Sequence, residues 1–142
     1  MQANLYKKNV NYFQKVLNKF LPYVPRIYVY GNFLDIGCNT GSLLSKLSAE
    51  WVKTGVEIST EAYKVALKNQ NIKFHNTSLE NFNPEIKYHF VRASHVIEHT
   101  IEYDVFLKKI YTILDNNGYA LLYTPNTKSI SYLLFKKYWS QF

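Results

Sequence analysis

Residues 33–41 read FLDIGCNTG, an apolar run that ends in an acid and leads into a turn with two glycines. The apolar residues predict a buried strand, which the glycines at 37 and 41 interrupt. The next segment, residues 42–47, has leucines at helical spacing and predicts a helix. Glycine lets the backbone approach a ligand closely, and a helix start offers unpaired amide donors. The segment is therefore typical of a nucleotide site, although an ordinary connecting turn has the same pattern.

The composition predicts one soluble globular domain. The chain has 142 residues, of which 47% are hydrophobic and 17% aromatic, enough for a core. It has no apolar run of membrane-spanning length and no signal-peptide pattern, which predicts a cytoplasmic protein without membrane contact. The single cysteine, Cys38, excludes an internal disulfide and a cysteine-based zinc site. The net charge of +7 comes mainly from dispersed lysines, which favours a solvated surface over a nucleic-acid-binding face.

Strand and helix patterns alternate along the chain. An amphipathic pattern predicts a first helix over residues 6–21, and Asn116-Asn117-Gly118 predicts a turn before the last strand. The fold class is therefore α/β: a Rossmann-like, doubly wound, mostly parallel sheet of about five strands, with a site at the carboxyl ends of the strands. The predicted strands after residues 33–36 cover 51–57, 72–75, 88–93 and 119–124, and the predicted helices after residues 42–47 cover 61–68 and 103–114.

An acid ends the second predicted strand. Glu57 lies about 20 residues beyond the glycine turn, where dinucleotide-binding folds place the acid that binds ribose. A carboxylate suits ribose because its oxygens accept hydrogen bonds from both hydroxyls. The dinucleotide fingerprint G-x-G-x-x-G nevertheless fails at Asn39 and Ser42, and a P-loop fails because no Gly-Lys-Ser/Thr follows.

The pattern that fits is D-x-G-x-x-x-G, and with it the sequence resembles the class I S-adenosylmethionine-dependent methyltransferases. Their first and second motifs are similar to FLDIGCNTGSLL and GVEIS, and the segments after their fourth strand and at their fifth strand resemble RASHVIEHT and YALLYTPN. Within the family, the ubiquinone-type O-methyltransferase branch is the most similar. The resemblance implies a cofactor-binding core over residues 31–126, an N-terminal helix and lead-in over 1–30, and the start of a substrate-covering region over 127–142, within a single domain.

The resemblance also implies roles for individual residues. Asp35 would face the amino-acid end of the cofactor, and Glu57 would bind the ribose. Ile58 would pack on the adenine, whose edge would meet Ser78 and the backbone of Leu79. Asn39 and Ser78 replace a frequent glycine and a frequent aspartate. The predicted cofactor-binding residues are Asp35, Gly37, Cys38, Asn39, Gly41, Glu57, Ile58, Ser78, Leu79, Ser94 and His95.

Two histidines follow the fourth predicted strand, where a methyl acceptor would lie. Transfer to a hydroxyl needs positioning and a base, and histidine titrates near neutral pH. His99 is the favoured catalytic base, with His95 lining the cofactor side; alternatively, His99 is a buried helix-start residue bonded to backbone.

Other chemistries are disfavoured. The segment HVIEH matches the zinc signature H-x-x-E-H, but the chain that follows lacks the long helix with a further acidic ligand. The resemblance leaves open a divalent cation on His95, Glu98 and His99, yet no metal is predicted. Cys38 lies inside the turn, where a small residue packs, and is not expected to act as a nucleophile.

The leading interpretation is an enzyme that transfers a methyl group from S-adenosylmethionine to a small-molecule acceptor, oxygen first. The family has two further strands after Thr-Pro-Asn, so the chain resembles a truncated or shortened member. A cofactor-binding domain with little or no turnover is therefore an alternative, and an RNA methyltransferase attracted by the lysines is another. An apolar fifth strand at the edge of the sheet predicts self-association.

Overall fold

The computed structural model of the protein describes residues 30–126. The predicted helix over residues 6–21 and the tail over residues 127–142 lie outside this range. Five strands form one parallel sheet in the order β3-β2-β1-β4-β5, which confirms the predicted Rossmann-like α/β fold. The strands are β1 Gly31–Ile36, β2 Trp51–Val56, β3 Lys73–His75, β4 Tyr88–Ser94 and β5 Leu114–Tyr123.

Helical segments connect the strands. Helix α1, Thr60–Ala66, joins β2 to β3, and helix α2, Tyr103–Ile113, joins β4 to β5. The hydroxyl of Ser59 caps α1 by accepting a hydrogen bond from the Ala62 amide at 3.3 Å. Short 3-10 helices, Leu44–Lys46 and Ile97–His99, follow β1 and β4. Within residues 30–126, no helix has the length and apolarity that crossing a bilayer requires.

Each face of the sheet has its own apolar cluster, because side chains alternate along a strand. On one face, α2 packs Phe106, Ile110 and Ile113 against residues such as Leu34 and Val91. On the other face, the rings of Phe33 and Phe90 stack with centroids 5.1 Å apart, and Trp51 and Leu44 pack with them. The two clusters hold β1 and β4 rigidly side by side, and the ends of these strands carry the candidate site.

The helix predicted after β1 is wrong in length. Only Leu44–Lys46 is helical, in a single 3-10 turn, although the sequence predicts a helix over residues 42–47. The hydroxyl of Ser45 donates to the carbonyl oxygen of Ser42 at 3.0 Å, a local bond of the kind that competes with regular helix. β2 then begins at Trp51, which leaves little chain for a longer helix.

The predicted start of the fifth strand is also wrong. β5 begins at Leu114, immediately after α2, so Asn116-Asn117-Gly118 lies inside the strand and not before it. Leu114 pairs with Tyr88 and Tyr119 with Phe90, so β5 advances five residues while β4 advances two. The extra residues form a bulge, and its polar, glycine-containing sequence is typical of a turn as well.

Candidate functional site

The turn after β1 has the left-handed backbone that its sequence predicts. Gly37, Asn39 and Gly41 have φ angles of 67°, 51° and 71°. A Cβ on Gly37 would lie 2.6 Å from Cγ2 of Val96, so only glycine allows this approach. Asparagine tolerates such angles better than most residues, which explains why Asn39 fits the turn. The turn is tied to β2 by hydrogen bonds from the amides of Gly37 and Cys38 to the Val56 carbonyl oxygen, at 2.9 and 3.1 Å.

Glu57 brings a carboxylate to this turn from the end of β2. Its Oε2 accepts a hydrogen bond from the Asn39 amide and its Oε1 one from the Ser59 amide, both at 2.8 Å. A backbone amide therefore holds each oxygen of this carboxylate, and only 9% of the residue is exposed. Each carboxylate oxygen has a second lone pair, so these bonds leave acceptor capacity for a ligand.

A cavity of about 510 Å³ opens beside the turn. Apolar side chains dominate its inner wall, and Ile58, 74% exposed, lies at its mouth. Four residues predicted for the cofactor, Gly37, Ile58, Ser78 and Leu79, line it together with His99, the favoured base. Its remaining lining residues are Ile36, Val56, Thr77, Glu80, Val96, Thr100, Ile101, Glu102, Val105 and Phe106.

Asp35, by contrast, lies in the interior of the sheet. It is 1% exposed, and its Oδ1 accepts a hydrogen bond at 2.7 Å from Nη1 of Arg92, whose side chain is 18% exposed. Burial raises the pKa of Asp35 above its ordinary value, while the Arg92 guanidinium opposes that shift. Asp35 does not line the cavity, and its expected contact with the cofactor's amino group stays a prediction.

Cys38 is buried in the turn, where its sulfur packs beneath Gly55. Burial raises the pKa of its thiol to about 12, and the charges of Asp35 and Glu57 add to the shift. A thiol in this environment stays protonated at neutral pH and is a poor nucleophile. This supports the prediction that Cys38 packs and does not react.

The ends of β4 and β5 are joined through His95. Its backbone amide donates to the Tyr123 carbonyl oxygen at 2.8 Å, and its ring lies edge-on to that tyrosine with centroids 5.2 Å apart. Nδ1 of His95 lies 3.2 Å from Oε1 of Glu98. The other carboxylate oxygen of Glu98 accepts a hydrogen bond from the Thr124 hydroxyl at 3.1 Å. We call His95, Glu98 and Thr124 the clasp.

His95 itself has a φ angle of 56°, in a region that costs most non-glycine residues of order 1 kcal/mol. The amide bond to Tyr123 and the contact with Glu98 hold it there. Strain of this kind occurs preferentially at functional sites. The predicted site residue Ser94 is the last residue of β4 and directly precedes this position.

The two histidines have different surroundings. His99 lies in the 3-10 helix after β4 and is exposed, so the alternative of a buried helix-start residue is wrong. His95 contacts a carboxylate, whereas His99 faces the cavity. In the part of the chain that the structure describes, no three His, Cys, Asp or Glu side chains form a group that could hold a metal ion. The arrangement considered for a cation on His95, Glu98 and His99 is therefore not assembled.

Sequence reasoning assigned no role to Arg92 or Thr124 and considered Glu98 only as a metal ligand. Arg92 had a detectable signal, because it is an arginine between Val91 and Ala93 in a strand expected to be buried. Thr124 belongs to the Thr-Pro-Asn segment of the resemblance, but no sequence signal linked it to its partner Glu98, which follows a different strand.

Comparison with known proteins places this geometry in a family. A family model described as a methyltransferase domain matches residues 5–142. A ubiquinone biosynthesis O-methyltransferase from Bradyrhizobium diazoefficiens is 32% identical over 109 residues, which cover 71% of this chain and 42% of the relative. The chain thus spans less than half the length of this curated relative.

Solved structures of methyltransferases share the fold. The plantazolicin methyltransferase BpumL in complex with S-adenosylhomocysteine has a TM-score of 0.66 at 22% identity, covering 84% of this chain and 50% of its own. A coclaurine N-methyltransferase bound to N-methylheliamine and S-adenosylhomocysteine has a TM-score of 0.64 at 18% identity, covering 76% of this chain and 34% of its own. At these identities the likeness extends to the fold alone.

Proposed function

The chain belongs to the class I S-adenosylmethionine-dependent methyltransferase family, and on this premise we propose that it transfers a methyl group from S-adenosylmethionine to an oxygen of a small molecule. The observation that carries the proposal is the Glu57 carboxylate, fixed by two backbone amides at the edge of the glycine turn. Val56 and Ile58, on either side of it, both line the 510 Å³ cavity. A carboxylate that can accept hydrogen bonds from ribose hydroxyls thus lies next to an apolar cavity that can hold the adenine.

The residues present fit such a cofactor. Glu57 would accept from the ribose hydroxyls, and Ile58 with Val96 would enclose the adenine, whose edge would meet Ser78 and Leu79. Gly37 and Gly41 let the turn pack closely against Val96 and Phe74, because a Cβ at these positions would lie 2.6 Å from Val96 Cγ2 and 2.5 Å from Phe74 Cζ. Asn39 and Cys38 would shape the turn, and the end of β4 at Ser94 would lie beside the methionine part. When bound, the cofactor supplies an electrophilic methyl group on a sulfonium centre.

We assign the base to His95, with His99 as the alternative. A carboxylate 3.2 Å from Nδ1 favours the tautomer with its proton on that nitrogen, which leaves the Nε2 lone pair to accept a proton from an acceptor hydroxyl. Glu98 also stabilises the imidazolium that this transfer produces. Thr124 holds the second oxygen of Glu98 and fixes its rotamer. Because an oxygen acceptor must lose its proton, the clasp supports the O-methyltransferase assignment, and the curated relative carries the same activity in its name.

Calorimetry with S-adenosylmethionine and S-adenosylhomocysteine tests the cofactor site. We expect Glu57→Gln to weaken binding of both about tenfold or more, because a charge-assisted acceptor is lost. Glu85→Gln removes an exposed carboxylate that does not line the cavity and should bind as the wild type does. Absence of heat with the wild type, or equal affinity in Glu57→Gln, would contradict the site.

Methyl transfer to a panel of phenols, such as catechol, tests the base. We expect Glu98→Ala to lower kcat about tenfold or more and to abolish the preference of His95 for the Nδ1–H tautomer in ¹⁵N NMR, with unchanged S-adenosylhomocysteine affinity. Glu85→Ala is the matched control, because Glu85 is exposed and does not line the cavity. A larger loss in His99→Gln than in His95→Gln would assign the base to His99. Cofactor binding without transfer to any acceptor would favour the non-catalytic alternative.

Self-association through β5 is part of the proposal. Within residues 30–126, β5 is the outermost strand, with β4 as its neighbour on one side. Unpaired backbone groups along an apolar edge favour pairing with a second copy of the chain.

A further inference from the structure

The side chain of Asn76 connects two loops at the carboxyl edge of the sheet. Asn76 follows β3, and its Nδ2 donates hydrogen bonds to the carbonyl oxygens of Glu57 at 2.8 Å and of Ile58 at 3.0 Å. Its Oδ1 accepts a hydrogen bond from the Thr60 hydroxyl at 3.1 Å. Since carbonyl oxygens only accept hydrogen bonds, the nitrogen of this amide must face Glu57 and Ile58. The side chain thus holds a loop that lies 19 positions earlier in the chain.

These bonds begin where the pairing between β2 and β3 ends. Val56 and His75 form the last register pair of the two strands, and the Glu57 amide donates to the His75 carbonyl oxygen at 3.0 Å. The next two carbonyl oxygens along the chain, those of Glu57 and Ile58, meet the Asn76 side chain and not a strand. The side-chain amide therefore extends the hydrogen-bonded pairing by two residues beyond β2.

Asn76 also connects two parts of the cavity wall. Ile58, whose backbone it holds, lines the cavity, and so do residues 77–79, which follow it in the chain. Asn76 itself is exposed and does not line the cavity. Its hydrogen bonds thus fix the position of Ile58 relative to residues 77–79 without contact to a ligand.

We propose that Asn76 is a positioning residue of the cofactor site: its amide holds the backbone of Glu57 and Ile58 so that the Glu57 carboxylate meets the ribose hydroxyls. The amides of Asn39 and Ser59 orient that carboxylate, and Asn76 fixes the backbone from which it projects. A binding group must be held within about 0.5 Å of its productive position, and hydrogen bonds of surrounding residues supply this precision. The inference deepens the proposed function and rests on it.

Two ligands that differ by one ribose hydroxyl test this role by calorimetry: S-adenosylhomocysteine and its 2′-deoxy analogue. We expect the wild type to bind the deoxy analogue about tenfold more weakly, as the loss of a hydrogen bond to a charged group predicts. In Asn76→Ala, S-adenosylhomocysteine should bind about fivefold to tenfold more weakly, and the ratio of the two affinities should fall to about threefold or less. The ratio falls because Glu57 is no longer held against the hydroxyls, whereas a loss of stability alone would leave it unchanged.

A second variant, Asn76→Asp, removes only the donor. Aspartate has nearly the same shape and keeps an oxygen for the Thr60 hydroxyl, but its carboxylate has no proton for the two carbonyl oxygens at neutral pH. We expect it to weaken S-adenosylhomocysteine at least as much as Asn76→Ala does. Because Asn76 is exposed, neither substitution opens a void in the core.

Asn83→Ala is the matched control. Asn83 is an exposed asparagine in the same connection between β3 and β4, where its Oδ1 accepts a hydrogen bond from Nζ of Lys109 at 2.7 Å. It does not line the cavity. Both affinities should stay within about twofold of the wild type, as is usual for surface substitutions.

A wild type that binds neither ligand contradicts the proposed function as a whole. A wild type that binds both ligands equally contradicts the ribose role of Glu57 and, with it, the inference. Unchanged S-adenosylhomocysteine affinity in Asn76→Ala and Asn76→Asp overturns the inference alone. A parallel loss of both affinities, with the wild-type ratio kept, assigns Asn76 a general structural role and overturns the inference as well.

Discussion

At the scale of single residues, Cys38 is the clearest case in which burial changes the pKa of a side chain. In the folded chain the pKa of the Cys38 thiol is about 12, whereas in an unfolded chain its pKa is 9.0. Stability from this group is therefore complete below pH 9 and is lost as the pH rises toward 12. We expect the unfolding free energy of the wild type to fall more steeply above pH 9 than that of Cys38→Ala.

Urea unfolding of both proteins at pH 7.5 and pH 10 measures this difference. The comparison with Cys38→Ala controls for all other titrating groups, because lysines and tyrosines titrate equally in the two proteins. Parallel losses of stability between the two pH values would show that the thiol does not contribute.

At the scale of secondary-structure elements, the β4–β5 pairing depends on Gly118. A Cβ at this position would lie 2.7 Å from the Tyr88 carbonyl oxygen and 3.1 Å from the Asp115 amide nitrogen. Because both atoms belong to the backbone of paired strands, neither can move without disturbing the bulge. We expect Gly118→Ala to lower the unfolding free energy by about 1–3 kcal/mol, a cost typical of overpacking.

Asn117→Ala is the matched control, since Asn117 is exposed in the same bulge. It should change stability by no more than about 0.5 kcal/mol, as surface substitutions usually do. Thermal unfolding monitored by circular dichroism compares the two variants. If Gly118→Ala is as stable as Asn117→Ala, the bulge is not tightly packed against β4.

At the scale of the whole molecule, the edge position of β5 governs association. We expect the chain to form dimers or larger species at high concentration. Ala120→Lys should shift them toward monomer, because a lysine on an edge strand opposes strand pairing. Ala49→Lys places the same change at an exposed site before β2 and should have no effect.

Light scattering with size-exclusion chromatography over a range of concentrations measures the association. A wild type that stays monomeric at the highest concentration would contradict the role of β5. Equal shifts in the two lysine variants would assign the effect to net charge.

Much of the fold follows from patterns that span a few neighbouring residues. The apolar run before Gly37 predicts β1, the glycines predict its left-handed turn, and Glu57 reaches that turn as expected. Where local patterns fit two structures, prediction failed: Asn116-Asn117-Gly118 is typical of a turn and of a bulge, and only pairing with β4 selects the bulge. The helix predicted after β1 was too long for the same reason, since the leucines of residues 42–47 can pack in a short 3-10 turn as well as in a longer helix.

Sequence thus defined the α/β class and the glycine turn, because each depends on residues close together in the chain. It also singled out Glu57, 18 positions from Asn39, because an acid at the end of the second strand has a recognisable spacing from the glycine turn. The tertiary structure alone paired Asp35 with Arg92, 57 positions apart, and Glu98 with Thr124, 26 positions apart. Those contacts arise from the parallel register of β1, β4 and β5, which no local periodicity encodes. The physical reason is that strand order and register are determined by the packing of both faces of the sheet, and this packing involves the whole core at once.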